Sequence, residues 1–137
     1  MFKVKIIAIG RCKELWLNAA LAEYEKRLRG RCSISWQFVE ENESFTASCR
    51  KEPILVALDI QGERFNSEAW AEKFMRLGKR ASFAVGGPSG LPAEVLQMAH
   101  FRWSLSPLTF TNQLARLILV EQIYRTLEIS KGSPYHK

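Results

Sequence analysis

Residues 54–60 read Ile54-Leu55-Val56-Ala57-Leu58-Asp59-Ile60, an apolar run interrupted only by Asp59. A strand with one wet face alternates apolar and polar residues. A run apolar on both faces marks a strand covered on both sides, as in a parallel sheet. Gly62 is predicted to end it. Downstream, Asn66 or Ser67 can cap a helix carrying Trp70, Phe74 and Leu77, closed by Gly78. Ser82–Val85 reads as a strand running into Gly86-Gly87-Pro88-Ser89-Gly90, and Pro92 suits the first turn of a helix reaching about Phe101. Residues 102–105 make a short strand, 106–110 a loop, and about 112–129 a long helix. Upstream, Val4, Ile6 and Ala8 alternate with other residues in an opening strand broken at Gly10. Leu17, Ala20, Leu21, Tyr24 and Leu28 recur at helical spacing within 14–29, with Gly30 as C-terminal cap. Ile34, Trp36 and Phe38 mark a second strand. Residues 40–53 are polar and weakly periodic, predicting a loop with at most one helical turn. Strands and helices that alternate in this way predict an α/β fold: a mostly parallel sheet with helices on both faces, in one domain over residues 1–137.

The chain has 137 residues, 47% hydrophobic and 25% charged, the balance of a soluble domain large enough to bury its own core. Its net charge of +6 favours polyanionic partners, nucleic acid first. Cys12, Cys32 and Cys49 are odd in number and form no C-x-x-C pair, which excludes a disulfide framework and a zinc cluster. With His100 and His136 the only histidines, no metal site is expected. The first residues alternate charge and apolar side chains too closely for a signal peptide, and no stretch spans a bilayer, so a cytoplasmic location with no membrane partner is expected.

Three loops follow predicted strands: 58–62, 86–90 and 105–110. Glycines at the carboxyl end of a parallel strand let backbone approach a ligand closely. The spacing in Gly86-Gly87-Pro88-Ser89-Gly90 is neither G-x-G-x-x-G nor a P-loop, so the loop alone specifies no ligand. Three such loops on one rim of the sheet make a pocket lip. The stretches that form it are Leu58-Asp59-Ile60-Gln61-Gly62, Gly86-Gly87-Pro88-Ser89-Gly90 and, before the last helix, Leu105-Ser106-Pro107-Leu108-Thr109-Phe110. Backbone groups there can bond an adenine edge, with Leu and Phe flanking the ring. A flavodoxin-like module would need phosphate-cradling residues after the first strand, which Gly10-Arg11-Cys12-Lys13 does not supply. No G-x-S-x-G elbow is present.

The last helix is apolar nearly all round. Leu114, Leu117 and Ile118 lie on one side, and Leu119, Ile123 and Leu127 on the other. One side can cover the sheet while the other meets a second copy, which predicts a homodimer. Glu121 and Arg125 stand in the favourable i,i+4 order. On composition alone the tail 130–137 reads as a loose end.

The segments 4–10 (V-K-I-I-A-I-G), 58–62 (L-D-I-Q-G), 85–91 (V-G-G-P-S-G-L), 103–110 (W-S-L-S-x-L-T-F), 116–125 (R-L-I-L-V-E-Q-I-Y-R) and 134–137 (P-Y-H-K) together resemble one family. It is the large-subunit ribosomal RNA methyltransferases of the SPOUT superfamily that modify N3 of a pseudouridine. The resemblance covers essentially the whole chain and is most specific in its last third. It implies a SPOUT fold whose C-terminal part forms a deep trefoil knot, which physical reasoning from sequence would not suggest. It implies S-adenosyl-L-methionine bound at Leu58, at Gly86 and Gly87, and along residues 105–110. It also implies a homodimer and, as substrate, a pseudouridine of 23S-type ribosomal RNA in the assembled ribosome. His136 then becomes the expected general base, Tyr135 a stacking partner for the base, and Arg125 the cation that offsets developing charge. The chain departs from the pattern at Thr111-Asn112, where the family usually carries Pro-His, at Ser133, and in a short 40–53 segment. Two other readings compete: a non-catalytic ribosome-binding or assembly factor that keeps the fold, and a SPOUT methyltransferase acting on tRNA.

Overall fold

The computed structural model describes residues 1–136; Lys137, the last residue of the tail motif, lies outside the described residues. The chain runs β1 (Phe2–Ile9), α1 (Leu15–Leu28), β2 (Cys32–Val39), α2 (Asn42–Arg50), β3 (Leu55–Arg64), α3 (Ser67–Arg76), β4 (Arg80–Val85), α4 (Ala93–Met98), β5 (Phe101–Ser104) and α5 (Asn112–Ser130). The five strands form one sheet in the order β2-β1-β4-β3-β5. Every strand pairing is parallel. Where helices cover both faces the central strands are apolar on both, whereas the first residues of β1 and β4 put Lys3, Lys5 and Arg80 on one of them.

Alternate residues of β1 serve two different layers. Val4, Ile6 and Ala8 join a core closed by Leu17 and Leu21 of α1, Trp70 and Phe74 of α3, and Leu119 and Ile123 of α5. Ile7 faces the other way, with Leu55 and Ala84, against Phe45 and Cys49 of α2 and Val95 of α4. The first layer is built on aromatics: Trp70 stacks on Trp103 at 3.7 Å between ring centroids and meets Phe83 edge-on at 6.1 Å.

Three expectations are corrected. Residues 42–50 form a helix and not a loop. Its buried residues are Phe45, Thr46 and Cys49, an i, i+1, i+4 face too narrow to register as a period. Gly62 does not end β3, which continues to Arg64. A Cβ at Gly62 would stand 2.6 Å from the Arg102 carbonyl carbon, so glycine here admits β5 where the β3–β5 register shifts between Leu58 and Glu63. Helix α4 stops at Met98 because Ala99 is already extended, at φ −63° and ψ 144°.

The caps follow their predicted chemistry. Asn66 accepts a hydrogen bond from the Ala69 amide at 2.8 Å, and Thr111 accepts one from Leu114 at 3.2 Å. Along α5, Leu119, Ile123 and Leu127 are buried, while Leu117 and Ile118 are half-buried and Leu114 is exposed. No helix among the described residues is long and apolar enough to cross a membrane.

Candidate functional site

Residues 58–60 in the middle of β3, the segments that follow β4 and β5, and the first turn of α5 enclose a cavity of ≈ 430 Å³. Of the predicted contacts, Leu58, Gly86, Gly87, Leu105, Ser106, Leu108, Thr109 and Phe110 line it; Pro107 is exposed and is not part of the lining. The loops 86–90 and 105–110 do share a rim, but the third stretch, 58–62, is not a loop: it belongs to β3, which runs on to Arg64 and reaches the cavity with residues 58–60. The structure adds Asp59, Leu91, Trp103, Asn112 and Ala115 to the wall. Trp103 and Ala115 escaped the sequence reading because their types and spacing are those of ordinary core positions. Asp59 was readable as the single charge in an apolar strand.

Each loop has a local reason for its shape. A Cβ on Gly86 would lie 2.7 Å from the Gly90 carbonyl carbon, so the 86–90 turn closes only over glycine. The Gly90 amide donates to the Gly87 carbonyl at 3.0 Å, with Gly90 at φ +80°. In the second loop, the Leu108 amide donates to the Ser106 hydroxyl at 3.0 Å, and the Ser104 hydroxyl donates to the Ser106 carbonyl at 3.0 Å. These bonds turn the chain so that Leu108, 68% exposed, stands at the cavity mouth.

Arg116, fully buried, seats the first turns of α5. It donates to the Ile9 carbonyl at 2.9 Å and reaches the Cys12 sulfur at 3.5 Å. Gln113 adds a second clamp, accepting from the Lys13 amide at 3.1 Å and donating to the Arg11 carbonyl at 3.0 Å. The end of β1 and the cavity wall are thus one unit.

The predicted catalytic group is also brought together, but elsewhere on α5. Arg125 donates from Nε to Glu121 Oε1 at 3.1 Å and from Nη2 to Oε2 at 3.2 Å. The Tyr135 hydroxyl donates to Glu121 Oε2 at 2.7 Å, and the Arg125 guanidinium lies 4.8 Å from the Tyr135 ring centroid. Burial, and then the neighbouring Glu121 carboxylate, push the Tyr135 phenol above its ordinary range. His136 Nδ1 sits 3.0 Å from Arg125 Nη1, and its Nε2 sits 3.2 Å from Glu68 Oε2. Arg125 can only donate, which assigns Nδ1 as the acceptor and Nε2 as the protonated nitrogen. The Glu68 carboxyl lies below its ordinary value, first through its own backbone amide and then through His136.

The tail is not a loose end. Ser133 donates from its hydroxyl to Glu128 Oε1 at 3.0 Å, and Tyr124 meets Tyr135 edge-on at 4.9 Å. What the structure does not join within one chain is this tail cluster and the cavity. Ala115 lines the cavity while Arg125 holds the tail, and at 1.5 Å per helical residue they stand about 15 Å apart along α5. Among the described residues, no group of three or more His, Cys, Asp or Glu is placed to hold a metal ion.

Residues 2–136 match the family model described as Predicted SPOUT methyltransferase. The chain is 41% identical over 141 residues to the ribosomal RNA large subunit methyltransferase H of Protochlamydia amoebophila, covering 100% of both chains. It is 41% identical over 140 residues to the protein of that name from Prochlorococcus marinus, covering 98% of this chain and 96% of the relative. Among solved structures it is similar to a probable methylase family protein from Haemophilus influenzae, with a TM-score of 0.60 at 10% identity, covering 99% of this chain and 70% of the other. It is also similar to the TrmH/SpoU tRNA modifying enzyme of A. aeolicus, with a TM-score of 0.56 at 13% identity, covering 94% and 77%. At those identities the structural likenesses speak for the fold, and the full-length sequence matches for the lineage. The chain belongs to the SPOUT methyltransferase family, in the group whose members carry the name ribosomal RNA large subunit methyltransferase H.

Proposed function

We propose that this protein is an S-adenosyl-L-methionine-dependent methyltransferase that acts in the cytoplasm as a homodimer, on N3 of a pseudouridine of large-subunit ribosomal RNA in the assembled ribosome. The observation that carries this reading is the convergence of residues 58–60 of β3 and the two loops after β4 and β5 on one cavity of ≈ 430 Å³, a size and composition suited to a nucleoside-sized ligand. Family membership supports the chemistry, and the names of the full-length relatives support the substrate.

The wall fits the cofactor. Leu58, Leu91, Trp103 and Leu105 offer apolar surface for an adenine ring, and the glycines of 86–90 let backbone groups reach its edge. Asp59, a half-buried carboxylate in the wall, suits a ligand that carries sulfonium and ammonium charges. When bound, S-adenosyl-L-methionine supplies an electrophilic methyl group. The task left to the protein is alignment, exclusion of water and handling of one proton. Leu108 and Phe110 close the mouth. His136 takes the N3 proton through Nδ1 once that nitrogen leaves Arg125. Arg125, released from the imidazole, then offsets the charge developing on the base, and Tyr135 stacks against the ring. The 15 Å offset within a chain, together with the half-buried Leu117 and Ile118, supports a dimer in which the tail of one copy serves the cavity of the other. The knotted threading and the single domain over 1–137 belong to the same proposal.

Calorimetric titration with S-adenosyl-L-methionine, wild type beside Gly86→Trp, tests it. Binding by the wild type and none by the variant is expected, followed by methyl transfer to ribosomes from cells that lack this enzyme. A folded wild type that binds ribosomes but no cofactor overturns the enzyme reading in favour of a ribosome-binding factor.

A further inference from the structure

The face of the sheet under α2 and α4 is only half covered. Those helices pack on Ile7, Leu55 and Ala84. Toward the amino ends of the strands the same face continues as two polar rows in register. Ser33, Lys3 and Arg80 form one across β2, β1 and β4; Ser35, Lys5 and Ser82 form the next. Ser33, Ser35, Lys3 and Arg80 are exposed. With Glu52 and Ser82 they line a recess of ≈ 380 Å³ at the opposite rim from the cofactor cavity.

This arrangement costs stability as it stands. Parallel sheets ordinarily bury both faces, and Lys3 and Arg80 are direct partners on neighbouring strands, a pairing that disfavours like charges. Glu52 does not relieve them, because it is engaged with Lys5 Nζ at 3.1 Å and with the Ser82 hydroxyl at 2.6 Å. Those hydrogen bonds outweigh the upward push of its burial and hold the Glu52 carboxyl below its ordinary value, so it is a fixed anion that fastens Lys5. Among the described residues, Lys3 and Arg80 take part in no ion pair. A local rule broken without compensation inside the molecule points to compensation from outside it.

We propose that this recess is a second RNA contact, in which Lys3 and Arg80 hold phosphates of the RNA chain while Ser33 and Ser35 supply neutral hydrogen bonds. The inference rests on the RNA substrate proposed above. RNA is the occupant because Lys3 and Arg80 stand side by side on β1 and β4, exposed and, among the described residues, without a carboxylate partner, which suits neighbouring, singly charged phosphates of one chain. Lys3, the second residue of β1, and Ile9, its last, are about 20 Å apart at strand rise. The recess therefore touches RNA well away from the nucleotide at the cavity, and its cations act on docking and not on the transfer step. A protein this small gains hold on a structured RNA through such a remote contact.

The test measures binding of fluorescein-labelled polyuridine RNA to the full-length protein by anisotropy across a salt series. Wild type is compared with the double variant Lys3→Gln/Arg80→Gln, with a matched control, Lys26→Gln/Arg29→Gln, that removes two exposed cations, one in the last turn of α1 and one just after it. Each phosphate contact to single-stranded RNA contributes about 0.7 to the slope of log K against log salt, so losing two lowers the slope by about 1.4. That change is expected in the recess variant and not in the control. Cofactor binding by calorimetry stays unchanged and the melting temperature is equal or higher, because a repulsion has been removed. An unchanged slope, an equal loss in the control, or a wild type that binds no RNA overturns the inference. So does saturable binding of inorganic phosphate by the wild type with an RNA slope that the variant leaves intact, which would make the recess a small-anion site. Cofactor binding reads the proposed enzyme and the salt slope reads the recess, so either can fail alone.

Discussion

The two faces of the sheet are held by different means. Over one, α1, α3 and α5 seal an aromatic core in which Trp70 touches Phe65, Phe74, Phe83, Phe101 and Trp103. Over the other, two short helices, of nine and six residues, cover a small cluster around Phe45 and Val95 and leave the strand starts to Lys3, Lys5 and Arg80. The thick face carries the stability. The thin face has apolar cover where it backs the glycine loop and polar side chains where it meets solvent. In a chain of this size, covering one face fully leaves part of the other free for binding.

The largest test of this division is deletion on each side. Trp70→Ala removes the hub of the thick face and is expected to cost about 3–5 kcal/mol, or to prevent folding. Val95→Ala, the same kind of deletion on the thin face, should cost about 2 kcal/mol. Urea unfolding of the two variants measures the gap; equal losses would dissolve the distinction between the faces.

A second test uses the carboxylates that tie each face to its surroundings. Glu128, at the end of α5, is buried yet receives Arg31 and Ser133, at 2.6 and 3.0 Å. Burial pushes its carboxyl up; Arg31, Ser133 and Lys131 outweigh that and leave it below the ordinary 4.5. A depressed folded value means that the unfolded chain takes up its proton first as pH falls. The stability from Glu128 is therefore complete above pH 4.5 and lost as pH drops through the lower folded value. Glu128→Gln is expected to cost about 2 kcal/mol at neutral pH and to flatten the acid limb of the stability curve, so that variant and wild type converge in acid. Parallel curves at all pH values would show that the carboxylate does not titrate with folding.

Much of this was legible from the chain. The 54–60 run announced a doubly covered strand, and the loops 86–90 and 105–110 announced the cavity, because apolar runs and glycine punctuation are local signals. Helix α2 was hidden: it holds on through Phe45, Thr46 and Cys49 and lacks a side-chain cap at Glu41, so tertiary contact and not local preference makes it helical. Gly62 looked like a stop and is a close approach, a distinction that depends on where β5 lies. The open rows of the thin face were invisible because register across β2, β1 and β4 appears only when the strands pair. The tail looked loose because it is held by single polar contacts, to Glu121 and Glu128 of the helix it leaves and to Glu68 of α3, and these carry no periodicity.

The smallest effect concerns that tail, where the thick face ends and the proposed chemistry begins. Tyr135→Phe keeps the ring against Tyr124 and removes only the hydroxyl that donates to Glu121 Oε2. The bond is half-buried and charge-assisted, so its loss should cost about 1 kcal/mol. Because the tail packs on the outside of α5, that cost falls on local opening and leaves global unfolding nearly unchanged. Hydrogen exchange at the Ser133 and Tyr135 amides, which donate to the Glu128 carbonyl and the Ser133 hydroxyl, should quicken by about fivefold, while exchange in β1 and β4 stays as it was. Methyl transfer separates two roles for the residue. If Tyr135 acts by stacking, the phenylalanine variant retains most activity, and Tyr135→Ala loses it. If the hydroxyl is what sets Glu121, and through it Arg125 and His136, the phenylalanine variant falls with the alanine one. The first outcome places Tyr135 against the RNA base, and the second makes it a positioning residue for the cation and imidazole beside it.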